Sequence, residues 1–273
     1  MGIINITPDS FSQDGCLSSR SPNATIAATT RLAKKLVREG ADILDLGGES
    51  TRPGATKISI KEEVDRVIPS IKKLVTEANV PISIDTYKPI VARHALDAGA
   101  CIVNNIMGSK FDRRLLEMIR DYNATIVLMH MKGMPPTMQK KIHYKQLIPE
   151  IIKTLQKSVE NCLEIGIKSD KIIIDPGIGF GKTVENNLEI INRLDEFTAL
   201  RRPLLIGTSR KSFIGKILKK GTSDRLIGTA TSVCASIIRG AHIVRVHNVK
   251  AIKETVDLTD AILNPVSIRT IDN

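Results

Sequence analysis

Two acids in this chain stand where an apolar run stops. Asp175 follows Ile172-Ile173-Ile174 and precedes Pro176-Gly177-Ile178-Gly179-Phe180-Gly181-Lys182, and Asp85 closes Pro81-Ile82-Ser83-Ile84. Three β-branched residues that end in a carboxylate read as a strand buried on both faces, handing an acid to a loop with little side-chain bulk. Polar residues recur at similar endings: Asn5, Glu49-Ser50-Thr51-Arg52, Asn104-Asn105, His130, Lys211 and Arg245-Val246-His247. Such groups are costly to bury without partners, so a set repeated around one mouth marks a site. Arg245 and His247 are two apart and face one side of a strand. With Asn5 they suit an anion, because guanidinium binds phosphate oxygens bidentately. Asp85, Asn104 and Asp175 offer acceptors and an amide, which suits a flat heterocycle with N–H donors on one edge and a carbonyl on the other. Taken by themselves, these residues specify an amide- or amidine-bearing ring and an anionic leaving group or phosphate. They do not name the ring.

The elements that must position them alternate along the chain. Strands are expected at 2–6, 43–46, 81–85, 101–104, 125–129, 171–175, 204–207 and 243–246. Helices are expected at 24–39, 61–77, 89–98, 113–122, 145–166, 184–194, 211–218, 225–239 and 249–263. Eight βα units without a linker or composition shift predict an α/β fold, one (β/α)₈ TIM barrel, with residues 1–273 as a single domain. A doubly wound open sheet is the alternative. In a barrel the strand C-termini share one face, and Lys211, opening a helix after the seventh strand, sits where barrels often bind phosphate or a carbonyl. The longest expected loops, 7–23 and 47–60, belong to that face.

Two phosphate-binding motifs are excluded at the glycine loop. A Walker A loop needs Gly-x-x-x-x-Gly-Lys-Ser/Thr, and Pro176 occupies the place of its first glycine. The Rossmann spacing fails because Gly177, Gly179 and Gly181 are two apart throughout.

Net charge is +11. The basic doublets are dispersed over helical segments, and aromatics make up 3% of the chain with no Trp, so no nucleic-acid partner is expected. A basic field also serves an anionic small molecule. No apolar run has the ~18 residues a membrane span needs. The start, Met1-Gly2-Ile3-Ile4-Asn5, lacks the regions of a signal peptide. The four cysteines (Cys16, Cys101, Cys162, Cys234) have no metal spacing and read as reduced thiols of a cytoplasmic protein. No membrane association is expected. A surface position is the ordinary one for Lys182, and no catalytic role is assigned to it.

With these residues in view, the chain resembles the dihydropteroate synthases, the folate-pathway enzymes targeted by sulfonamides. The segments that carry the resemblance are 2–12 (Gly2-Ile3-Ile4-Asn5-Ile6-Thr7-Pro8-Asp9-Ser10-Phe11-Ser12), 47–54, 83–86, 175–182, 207–212 and 245–247. The resemblance implies a transferase that condenses 6-hydroxymethyl-7,8-dihydropterin pyrophosphate with 4-aminobenzoate, releasing pyrophosphate with Mg²⁺ assisting. It assigns the pterin to Asp85, Asn104, Asp175 and Lys211. The pyrophosphate falls to Asn5, Arg245 and His247, with Asn5 also on the metal. Thr51 and Arg52 belong to a loop that closes over the site. Phe180, Ser212 and Lys211 line the aminobenzoate pocket, the helix start at Ser212 favouring the carboxylate. Catalysis is implied for Asp175, Lys211, Arg245 and His247, and a homodimer is expected from the resemblance alone.

The chain departs from the family pattern in three places. The first loop reads Ser10-Phe11-Ser12-Gln13-Asp14-Gly15, which displaces its usual acid by one position, so that either Asp14 reaches the site by a loop shift or that acid's role is lost. Asn105 and Asn248 stand where the family usually has Asp. A second reading, a barrel related to methyltetrahydrofolate methyltransferases, accounts for the pterin-type acids and amides but needs no pyrophosphate site. A non-enzymatic folate- or nucleic-acid-binding protein accounts for the charge but not for the strand ends.

Overall fold

The structure, a computed structural model, describes residues 1–7, 21–50, 56–105, 112–133, 138 and 142–265. Eight strands are present among them: β1 (Gly2–Asn5), β2 (Leu44–Gly47), β3 (Ile82–Asp85), β4 (Ile102–Asn105), β5 (Thr125–Met129), β6 (Ile172–Asp175), β7 (Leu205–Ile206) and β8 (Ile243–Val244). The helices are α1 (Pro22–Arg38), α2 (Ile60–Glu77), α3 (Pro89–Asp97), α4 (Arg113–Asp121), α5 (Leu147–Ile165), α6 (Val184–Asn192), α7 (Ser212–Leu218), α8 (Leu226–Ile238) and α9 (Val249–Leu263). Their starts follow capping chemistry. The Ser59 hydroxyl accepts from Glu62 N at 3.1 Å before α2, and Thr183 with Asn186 forms a reciprocal capping box before α6. The sequence reading carries α6 on to residue 194, but α6 ends at Asn192 and a 3₁₀ segment, Leu194–Leu200, follows.

All pairings are parallel. β1 to β6 form one sheet in sequence order and β7 pairs with β8. Two bridges join these pieces, Ile174 to Leu204 and Gly2 to Val246. The second is reinforced by Ile3 N to Val246 O and Val246 N to Met1 O, both 3.0 Å, and by the Met1 amino group on Val244 O at 3.0 Å. The eight βα units thus close into the (β/α)₈ barrel, with β7 and β8 shorter than the sequence pattern suggests.

The strand period of two separates the side chains into two sets. Ile4, Leu44, Leu46, Ile84, Val103, Ile126, Leu128, Ile172 and Ile174 pack with the helices in the main core. Ile102, Val127, Ile173 and Leu205, from the opposite parity, form a second buried cluster with Met1, backed by Ile43 and Ile243. This second cluster fills the barrel floor. The same parity carried toward the strand C-termini leads to polar side chains.

Candidate active site

Strand register sets the levels of the mouth. Asn5 is aligned with Gly47, Gly47 with Asp85, and Asp85 with Asn104. Asp45 is aligned with Ile3 and Ser83, two residues deeper along the same side. The sequence reading passed over Asp45, an acid inside an apolar run rather than at its end. Its inward parity, two residues before Gly47, was the available signal.

Asp45 is fully buried, and one of its oxygens, Oδ2, organises this half of the site. It accepts from Arg245 Nε at 2.6 Å and from Asn104 Nδ2 at 3.0 Å. Arg245 reaches further with Nη2 to Asp85 Oδ2 at 2.7 Å. Three side chains assigned from sequence, Asp85, Asn104 and Arg245, are therefore brought together by a fourth. Burial alone would lower the Arg245 guanidinium, but Asp45 and Asp85 outweigh it and raise its pKa. Burial pushes the Asp85 carboxyl up to about 7, with Arg245 opposing and Asp45 adding to the shift. Buried Oδ1 atoms of both Asp45 and Asp85 have no hydrogen-bond partner among the described residues, which leaves acceptor capacity for the N–H groups of a ligand.

Asp175 forms the other half. It ends β6, is buried, and accepts from Gly177 N at 2.6 Å through Oδ1. Burial raises its pKa, while the Gly177 N–H, Lys211, Lys182 and Arg245 oppose the shift. The field at this carboxylate thus joins both halves of the mouth. The following turn requires glycine at position 177. Gly177 has φ +72°, and a Cβ there would lie 2.0 Å from His130 O. Past the turn, Phe180 presents its ring to Lys211, whose Nζ lies 4.2 Å from the ring centroid, a cation–π contact. Lys211 immediately precedes α7 and Ser212, exposed, is its first residue.

His247 is held by Ser209, with Nδ1 to Oγ at 2.9 Å and its backbone N–H donating to the same Oγ at 3.2 Å. Ser209, within the 207–212 segment, thereby fixes the ring. Lys182 departs from its expected surface position. It is 3% exposed, with Nζ 3.0 Å from His130 Nδ1, 3.3 Å from His130 O and 3.0 Å from Phe180 O. Burial lowers Lys182 to about 7 and His130, which also faces Lys182 and Lys132, to about 2, so the imidazole is neutral.

Thr51, Arg52, Gln13 and Asp14 lie outside the described residues. The flanks of the second loop are anchored: the Lys88 ammonium bonds Glu49 and Ile58 O and pairs with the buried Glu63 at 2.7 Å.

This constellation can be set beside known proteins. The family model described as pterin binding enzyme matches residues 1–247. The dihydropteroate synthase of Bacillus subtilis is 44% identical over 264 residues, covering 97% of this chain and 88% of that protein. A Yersinia pestis dihydropteroate synthase solved with a sulfonamide drug superposes with a TM-score of 0.90 at 37% identity, over 96% of this chain and 93% of that one. A Xanthomonas albilineans dihydropteroate synthase solved with 4-aminobenzoic acid gives 0.87 at 36% identity, over 97% and 92%. With its strand-end acids, amides and bases on a matching barrel along nearly its full length, the chain belongs to the pterin-binding enzyme family, among the dihydropteroate synthases.

Proposed function

We propose that this mouth condenses 6-hydroxymethyl-7,8-dihydropterin pyrophosphate with 4-aminobenzoate, giving 7,8-dihydropteroate and pyrophosphate. The observation that carries the reading is the set Asp85 and Asn104, tied to Arg245 directly and through Asp45, with Asp175 in the field of Lys211 and Arg245. Asp85 and Asp175 accept from the pterin N–H edge, and the Asn104 amide and Lys211 serve its acceptors. As the C–O bond to pyrophosphate breaks, positive charge grows on the pterin methylene and ring, and the Asp175 carboxylate stabilises it. Arg245 and His247 stabilise the negative charge on the departing group. The aniline nitrogen of 4-aminobenzoate then attacks the methylene and loses a proton, with no covalent enzyme intermediate. Phe180, Lys211 and Ser212 form the aminobenzoate side, where sulfonamides compete. Thr51 and Arg52 are assigned to closure over the bound substrates, which keeps water from the cation.

Mg²⁺ fits the donors to a limited extent. Asn5 ends β1 at the mouth and is half-buried. It offers an amide oxygen of the type Mg²⁺ takes together with water and substrate phosphate oxygens. No group of three His, Cys, Asp or Glu able to hold a metal exists among the described residues, so the ion would be carried mainly by pyrophosphate. When bound it supplies charge neutralisation to the leaving group.

A homodimer is also proposed, supported by Ile227 at 79% exposure on α8 and by Leu258 and Ile262 at 64% and 67% on α9, apolar surface of the kind subunits cover. No helix among the described residues is long and apolar enough to cross a membrane. Free Cys101, Cys162 and Cys234 agree with a cytoplasmic setting.

The test is pyrophosphate release with both substrates and Mg²⁺. Release should depend on 4-aminobenzoate and stop with chelator. Release independent of 4-aminobenzoate, or none at all, refutes the reading.

A further inference from the structure

We infer that Lys182 is a positioning residue for the aminobenzoate side of the site. Its side-chain nitrogen clamps the loop after β6 to the end of β5 and so fixes Phe180, on whose ring Lys211 rests. The inference builds on the proposed function, because Phe180 and Lys211 matter through the substrate they line.

The loop is held at several points. Gly177, Gly179 and Gly181 take φ of +72°, +84° and +65°, a region that favours glycine. Gly179 N donates to Asn187 Oδ1 at 2.7 Å and the Tyr144 hydroxyl to Gly181 O at 3.0 Å, but the Phe180 carbonyl is met by Lys182. The loop lies hard against the 130–132 backbone. A Cβ on Gly177 would sit 2.0 Å from His130 O, and one on Gly181 would sit 2.2 Å from Lys132 O. Lys182 stands between the two segments and bonds both. Its contacts are Phe180 O on the loop side, and His130 O and Nδ1 on the β5 side. The same His130 donates its backbone N–H to Asp175 O at 2.8 Å. His130, directly after β5, thus ties the acid's backbone and the Phe180 carbonyl into a single unit through Lys182.

The chemistry favours lysine here. Three acceptors converge on one point, and an ammonium carries three donors on one atom. As a neutral amine it still serves both carbonyls and accepts from Nδ1–H, so the clamp survives either protonation state. Lys182 forms no ion pair among the described residues. Burying a cation without a direct carboxylate partner is costly, even in the field of Asp175, and a surface role does not account for it. Phe180, by contrast, is held through its backbone, and its ring centroid lies 4.2 Å from Lys211 Nζ. Displacing the Phe180 carbonyl moves the ring and, with it, the lysine resting above.

The experiment is a double-substitution cycle with Lys182→Met and Phe180→Ala, measured by steady-state kinetics well below the unfolding temperature. Lys182→Met should raise KM for 4-aminobenzoate by about tenfold or more, as a misplaced group does, with KM for the pterin substrate moving less than about threefold. In the Phe180→Ala background the same substitution should add less than about twofold, because its route of action is gone. Equal factors in both backgrounds, or equal rises in both KM values, overturn the inference. If Lys182→Met does not accumulate, Lys182→Gln, one bond shorter and too short to meet all three partners, runs the same cycle with a smaller rise in KM for 4-aminobenzoate expected, and no rise overturns the inference. The ¹⁵N resonance of His130 Nδ1 reports the clamp without turnover: it should be hydrogen-bonded in the wild type and released in Lys182→Met. Wild-type protein that shows no 4-aminobenzoate dependence sinks the functional reading. An Nδ1 resonance that ignores the substitution sinks the clamp.

Discussion

Replacing Asp45 by Asn tests the organisation of the mouth. The wild-type Oδ2 accepts from Arg245 Nε at 2.6 Å and from Asn104 Nδ2 at 3.0 Å. The Asn carbonyl oxygen can replace Oδ2, but the bond from Arg245 then loses its ionic character, a difference of about 1 kcal/mol. The new amide nitrogen falls where Oδ1 was, buried with no partner among the described residues. An unsatisfied buried donor costs about 1–3 kcal/mol. Arg245 keeps Asp85, so the guanidinium is not stranded and the larger penalty for a lone buried charge does not apply. The sum is about 2–4 kcal/mol, or roughly 5–15 °C in Tm at about 2–4 °C per kcal/mol for a chain of this size. Thermal unfolding with calorimetric titration of the pterin substrate measures both consequences. Pterin affinity should fall about tenfold, because the anchor shared by Asn104 and Arg245 loses its charge and an amide donor replaces the acceptor at Oδ1. A Tm within about 2 °C of wild type, with unchanged affinity, would show that Asp45 does not organise the site.

Asp175→Asn should lower turnover by about a hundredfold or more while the protein stays folded. Its carboxylate is disfavoured by burial, so the neutral amide should not reduce Tm, and near-normal activity would refute the role. Gly177→Ala places a Cβ 2.0 Å from a backbone oxygen at φ +72°, and a loss of at least about 3 kcal/mol or of soluble protein is expected; a native-like melting curve would contradict it. The folded pKa of Lys182 is lowered to about 7 from 10.5. A depressed group contributes stability that is complete above its unfolded pKa and is lost as pH falls through the folded one. Wild-type Tm relative to Lys182→Met should therefore rise between about pH 7 and 10 and stay flat below. Parallel curves would show that Lys182 does not titrate in that window.

The strand ends were legible because the period of two and the final acid or amide both lie within a few residues of sequence. Asn5, Asp85, Asn104 and Asp175 needed only the assumption of a barrel to meet, and the register aligns the first three on one level. Asp45 was missed because it sits inside Leu44–Gly47, where the same pattern reads as core. Its partner Arg245 is 200 residues away, and no local pattern points to it. Lys182 was misplaced for the same reason. Its burial depends on His130, 52 residues earlier, whereas composition alone sends a lysine to the surface. The short β7 and β8 were overread because apolar runs show where a strand can form and not how many of its bonds are made.

The join between β8 and β1 links residues 243 positions apart, and this orders the events of synthesis. A ribosome has made all six strands of the sheet once it has added Asp175, while the segments that flank the sheet on either side are still to be made. Until Leu204 and Val246 emerge, the nascent protein carries two bare strand edges, one on β1 and one on β6. Unpaired edges of that kind recruit other chains. The interval between residues 175 and 246 is therefore when both edges of this sheet are open to pairing with another chain.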